Sequence, residues 1–206
     1  MAVSPKKVTK EGIWGNNPVF RQVLGICSAL AVTNLVVNTL VMCIGLIYTL
    51  ALSSLTASVF RNVTPFRLRM ISSTLIIAAY VIVLHNFLMA FLPEISAQLG
   101  PYVGLIITNC IVLGRVESFA GRNKPWLSFL DGAASGIGYS VVLLTIAVFR
   151  EALGFGTIAG FPLPFEFTKW TIMVVAPGAF FMLALLVWIS RWLQAGPEAA
   201  SESVKK

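Results

Sequence analysis

LIITNCIVLGRVESF (Leu105–Phe119) is the stretch on which the reading of this chain turns. Most of it suits a bilayer, yet Thr108, Asn109 and Cys110 sit together at its centre. A polar group buried in hydrocarbon costs free energy unless a partner satisfies it. The stretch must therefore either interrupt a helix or meet polar partners from elsewhere in the chain.

The surrounding sequence makes the bilayer the right solvent to consider. Of 206 residues, 57% are hydrophobic and 11% charged, with a mean hydropathy of +0.86. A soluble domain carries roughly 25% charged residues, so the chain is read as an integral membrane protein. Asn34–Phe60, Met70–Pro93, Gly132–Phe149 and Thr171–Ser190 contain no charge over 27, 24, 18 and 20 residues. Each is long enough to cross a hydrocarbon core, which takes about 20 apolar residues. The first twenty residues, MAVSPKKVTKEGIWGNNPVF, have no apolar core ending in a small-residue cleavage site. The first apolar segment is therefore expected to be retained.

Two shorter segments complete the set. Gln22–Thr33 (QVLGICSALAVT) and Tyr102–Gly114 (YVGLIITNCIVLG) each carry a cysteine. As helices they reach about 18 and 20 Å, short of the ~30 Å core, and such segments suit re-entrant or broken helices. The order is then short, long, long, twice over. Cys27 and Cys110 occupy equivalent places in the two halves. An odd number of segments per half sends the second half in from the opposite side. The expected fold is thus an all-α membrane protein of six segments in a 3+3 inverted repeat. Residues 1–17 form an N-terminal tail, 18–193 the membrane domain with repeats at about 18–93 and 99–193, and 194–206 a C-terminal tail.

Basic residues orient this arrangement. With the N-terminus cytoplasmic, thirteen of the fifteen lysines and arginines fall on the cytoplasmic side, leaving Arg150 and Lys169 opposite. Such a bias places both termini in the cytoplasm. The net charge of +7 is scattered between apolar runs and forms no single patch, which argues against nucleic acid as a partner.

Of the three cysteines, all in apolar segments where no disulfide framework applies, Cys43 has no polar neighbour and reads as a small hydrophobe. Cys27 and Cys110 admit two readings: the same bland one, or a pair of thiolates meeting near the bilayer centre. Zinc or a [2Fe–2S] cluster takes four ligands, so on the second reading this chain brings half a site to an interface. Asp131, followed by Gly132, Ala133, Ala134, Ser135, Gly136 and Gly138, reads either as a helix-start charge beside a close-packing face or as a carboxylate on an ion path. His85 reads as an interhelical hydrogen-bonder or a proton-responsive group on that path. Arg150 and Glu151 are expected to form a boundary ion pair, and Arg115 and Glu117 to anchor the second short segment at the cytoplasmic boundary. No dinucleotide fingerprint, phosphate loop, CxxC pair or haem-spaced histidine pair is present, so any redox chemistry would run without a nucleotide bound to this chain.

LGICSALAVT (Leu24–Thr33), GLIITNCIVLGR (Gly104–Arg115), SFLDG (Ser128–Gly132), FREALGFGT (Phe149–Thr157) and APGAFF (Ala176–Phe181) resemble one family of membrane proteins. It comprises the D subunit of the sodium-translocating NADH:quinone reductase (Nqr) and the homologous E subunit of the Rnf complex. The likeness runs from about Asn16 to Arg191. The resemblance implies six segments with inverted symmetry, a bacterial inner-membrane location, and a homologous partner of opposite orientation (Nqr E or Rnf A). It further implies that Cys27 and Cys110, with two cysteines of that partner, hold a [2Fe–2S] cluster. The cluster would relay electrons from the cytoplasmic flavoprotein side to covalent FMN on the far side, coupled to Na+ movement. FMN, FAD or riboflavin would sit on other subunits, and a quinone such as ubiquinone would accept the electrons. Asn109 and Thr108 would hydrogen-bond around the cluster or the broken helix end. CSALAVT, GLIITNC and Tyr139 resemble Nqr D more than Rnf E, whose members often carry proline after the first cysteine. His85 departs from Nqr D, where an acid is common. Outside redox chemistry, an inverted-repeat transporter would use Asn109, Thr108 and Ser28 as a solute site, and a scaffold would need neither cysteine.

Overall fold

The computed structural model describes residues 24–62, 64–91, 93–154, 157–158, 161–162 and 175–203. The expected N-terminal tail, the start of the last apolar segment and residues 204–206 lie outside these. The described chain is helical apart from one two-residue antiparallel pairing. In order it comprises α1 (Ile26–Val32), α2 (Val36–Phe60), a 3-10 turn (Phe66–Leu68), α3 (Arg69–Phe91), α4 (Pro93–Ile107) and α5 (Cys110–Arg115). A π turn (Val116–Ala120), α6 (Pro125–Gly154), β1 (Thr157–Ile158), β2 (Phe161–Pro162) and α7 (Ala176–Ser203) follow.

Among the described residues, four stretches are long and apolar enough to cross a membrane: Val36–Phe60, Arg69–Phe91, Tyr102–Ala120 and Pro125–Gly154. A shorter apolar helix covers Pro177–Ile189. The 25 residues of α2 rise about 38 Å, more than the hydrocarbon core requires. Several of its hydroxyls are accommodated within the helix. Thr39, Thr49 and Thr56 donate to the carbonyls of Leu35, Gly45 and Leu52 at 2.8, 2.8 and 2.9 Å. A threonine can thus sit in an apolar helix with its donor satisfied.

The core is the α2–α6 pair, the most extensive contact between any two elements. Small residues on α6 allow it. A Cβ on Gly132 would lie 2.9 Å from the Leu50 carbonyl oxygen and 3.2 Å from the Ala51 Cα. One on Gly136 would lie 3.2 Å from Ile47 Cγ1. Two backbones approaching this closely gain dispersion contacts along their length, the main adhesive between helices where no hydrophobic drive operates. Leu46, Leu50, Leu143 and Ile146 seal the interface. Helix α3 packs on the other side of α2, where Leu84 Cδ2 would be 2.7 Å from a Cβ on Gly45. Met70, Ile71, Leu75, Ile82 and Phe87 face outward from α3.

Three boundaries depart from the sequence reading. Helix α6 begins at Pro125, whose missing N–H suits a first helical position, so Asp131 is its seventh residue and does not start it. Helix α4 begins at Pro93 and runs on through Pro101, joining an expected connector to the second short segment. The interruption falls inside that segment, at Thr108–Asn109. At the far end, α7 continues to Ser203, so the expected C-terminal tail is helical over much of its length.

Candidate functional site

The two cysteine-bearing short helices start beside one another. Helix α1 is entered through Gly25, whose φ of 90° lies in the left-handed region, a conformation that glycine adopts without steric cost. Space reinforces the requirement: a Cβ on Gly25 would lie 2.6 Å from Tyr139 Cε2 and 2.7 Å from Ile111 Cδ1. Cys27 is the second residue of α1. Helix α5 is entered through Asn109, in an extended conformation, and Cys110 is its first residue. The Asn109 side-chain oxygen accepts the Ile111 N–H at 3.0 Å, capping one otherwise orphaned donor.

A chain of hydrogen bonds ties the entrances together. The Gly25 N–H donates to Cys110 Sγ at 2.8 Å. The Asn109 amide donates to Ser28 Oγ at 3.1 Å, and Ser28 shares a short hydrogen bond with the Tyr139 hydroxyl. Tyr139 in turn donates to the Gly25 carbonyl at 2.7 Å. Ser28, Asn109 and Tyr139 are all essentially inaccessible, so these polar groups are satisfied by one another. Cys27 by contrast is exposed and Cys110 partly so. Both cysteines are thus less enclosed than the residues that hold them.

Each residue singled out in the sequence now has a place. Asn109 is inside the network. Thr108, one residue earlier, is exposed and makes no side-chain hydrogen bond among the described residues. Cys43 is buried, with its sulfur 3.9 Å from the Ser140 carbonyl oxygen, as a small apolar side chain would be. Asp131 is buried and committed to Arg115, 2.9 Å away. Arg115 also donates to Ser135 Oγ from Nε at 2.9 Å and Nη2 at 2.7 Å. Arg115 thus points into the protein and does not serve as a boundary anchor. His85 lies on α3 with Nδ1 buried and no hydrogen-bond partner for it among the described residues. The Glu117 Oε2 is likewise buried without a partner there.

The other charged pair also turns inward. Arg150 donates to Thr33 Oγ1 at 2.7 Å and to the Val175 carbonyl at 3.3 Å. The Glu151 carboxylate accepts the Val36 N–H at 2.7 Å. They fasten the end of α6 to the α1–α2 junction, where helix termini leave unpaired backbone groups. Sequence reasoning missed the roles of Gly25, Ser135 and Tyr139. Only the glycine two residues before Cys27 offered a signal, as a position suited to positive φ.

Thiols suit iron or zinc, and a backbone N–H aimed at Cys110 Sγ is the kind of donor that supports a metal-bound thiolate. In number the set falls short. Among the described residues no three of His, Cys, Asp and Glu gather as a metal site. The donor chemistry therefore fits an iron–sulfur group only as two ligands of a larger set.

Fold and site together define a multi-pass helical membrane protein in which two short helices with cysteines at their starts meet at their entrances. The chain belongs to the Rnf-Nqr family: the family model described as "Rnf-Nqr subunit, membrane protein" matches residues 6–187. Its relatives include the D subunit of the Na(+)-translocating NADH-quinone reductase of Psychromonas ingrahamii, 44% identical over 195 residues, covering 92% of this chain and 93% of that protein. The D subunit from Chlamydia abortus is 44% identical over 196 residues, covering 90% and 92%. The one from Tolumonas auensis is 42% identical over 204 residues, covering 96% and 94%. These relatives are named as subunits of a sodium-translocating reductase.

Proposed function

We propose that this chain is the D-type membrane subunit of a Na+-translocating NADH:quinone reductase, and that Cys27 and Cys110 are its two ligands to an intramembrane [2Fe–2S] cluster. The observation that carries the reading is the junction of α1 and α5, where Gly25 donates to Cys110 Sγ and Cys27 stands exposed on the neighbouring helix. When bound, the cluster would supply one-electron relay within the bilayer. The missing ligands come from a homologous subunit of opposite orientation, and flavins on other subunits are the donor and acceptor. Six segments in a 3+3 inverted repeat, inner-membrane location and cytoplasmic termini complete the reading. The break at Thr108–Asn109 and the shortness of α1 support the repeat.

This chain's own residues hold and shield. Asn109 and Ser28 bond to each other, which leaves little polar capacity for the solute site that a transporter would need. An Rnf E subunit would use the same two cysteines, but the relatives named above are all of the Nqr D kind. An ion path through Asp131 and His85 would have to pass the Arg115–Asp131 pair, and among the described residues no hydrogen bond joins Asp131 to His85.

The test is iron and acid-labile sulfide, measured on the purified complex and on this chain produced alone. The complex should carry the cluster and the lone chain none. A full complement on the lone chain would refute a shared site.

A further inference from the structure

The hydrogen bonds around Gly25 come from three elements, and one side chain organises them. We propose that Tyr139 is a positioning residue for Cys110: by holding Gly25 it maintains the N–H···S bond and thereby sets the reduction potential of the iron–sulfur group. The inference rests on the cluster reading above.

Gly25 has little freedom left. The Tyr139 ring occupies the space where a Cβ would stand, with Cε2 2.6 Å from that point. The hydroxyl of the same ring bonds the Gly25 carbonyl at 2.7 Å. The Gly25 N–H belongs to the preceding peptide plane; with the carbonyl held and φ at 90°, it meets Cys110 Sγ at 2.8 Å. The tyrosine hydroxyl is itself held by Ser28, and Ser28 by Asn109. Ser28 follows Cys27, and Asn109 precedes Cys110. Tyr139 of α6 therefore links the two cysteine-bearing turns through Gly25, Ser28 and Asn109.

A donor on a cysteine sulfur withdraws charge from the cluster. The reduced state carries one more electron, so it gains more from that donor than the oxidised state does, and the potential rises. Loosening Gly25 should lower it. Tyr139 is fully enclosed, and electron relay asks for no proton at its hydroxyl, so its contribution is through geometry.

The experiment is an EPR-monitored redox titration of the whole purified complex carrying Tyr139→Phe, which keeps the ring and removes the hydroxyl. The expected result is a fully occupied [2Fe–2S] signal with its midpoint moved to a more negative potential, and a shifted cysteinyl Fe–S stretch in resonance Raman. Tyr80→Phe is the control; its hydroxyl pairs with Thr56 Oγ1 at 2.7 Å, away from the site, and it should move neither. A retained signal with unchanged potential and stretch in Tyr139→Phe overturns the proposal. Should that variant fail to assemble, Ser28→Ala keeps the ring and hydroxyl but removes one hold on them. A smaller shift of the same sign then supports the proposal, and no shift overturns it. Absence of the signal from the unaltered complex refutes the cluster reading itself, and is distinguished because it needs no variant.

Discussion

Arg115 and Asp131 meet at 2.9 Å inside the protein, the first at the end of α5 and the second in the second turn of α6. The pair fastens the cysteine-bearing helix to the helix that carries Tyr139. Removing one partner leaves a buried charge uncompensated, which costs about 3–5 kcal/mol, whereas replacing both with apolar residues of similar size is often near neutral. Asp131→Ala should therefore lower the thermal midpoint of the purified complex sharply. The double variant Arg115→Met, Asp131→Leu should recover most of the loss. A double variant as unstable as the single would show that the charges themselves are needed.

Gly132 and Gly136 differ in what a methyl group would strike. At Gly132 it meets the Leu50 carbonyl oxygen, part of a rigid helix; at Gly136 the nearest atom is a side-chain carbon of Ile47, with the Ile47 Cα at 3.3 Å. Overpacking typically costs about 1–3 kcal/mol. Gly132→Ala should sit at or above the top of that range and Gly136→Ala below it, read as thermal midpoints or as yield of assembled complex. The reverse ranking would contradict the α2–α6 geometry.

Glu151 accepts the N–H of Val36, the first residue of α2. Loss of a charged hydrogen bond of this kind costs about 1.5–3 kcal/mol. Glu151→Gln keeps an acceptor oxygen and should cost less than Glu151→Ala. Amide exchange at Val36 offers the local readout: protection should fall in the alanine variant and be largely kept in the glutamine one.

Much of the fold is legible because lipid imposes a simple rule: about 20 residues without charge make a spanning helix. Asn34–Phe60 and Met70–Pro93 accordingly match α2 and α3 within a few residues. Local rules fail where a helix runs past its apolar run. Trp126–Asp131 is mixed in polarity, yet α6 starts at Pro125 because Asp131 finds Arg115 and the helix continues with its charge paired. The two cysteines in short segments are legible too. Their joining is not, since Tyr139 lies 114 residues from Gly25 in sequence and Cys110 lies 85 away. Residues that far apart are brought together only by tertiary packing, and neither propensity nor periodicity reports it.

Cys43 provides the internal comparison for the other two cysteines. It is buried, with its sulfur against the Ser140 carbonyl of α6. Cys43→Ala should leave the iron content and turnover of the complex unchanged, at a packing cost of about 1 kcal/mol or less. Loss of iron in this variant would mean that the ligands are wrongly assigned.

The most direct measurement is low-temperature EPR with iron analysis on the whole complex carrying Cys27→Ala or Cys110→Ala, beside the unaltered complex. Each substitution should abolish the [2Fe–2S] signal while the subunits still co-purify. An undiminished signal in either variant would contradict the central claim that this chain supplies two ligands through Cys27 and Cys110.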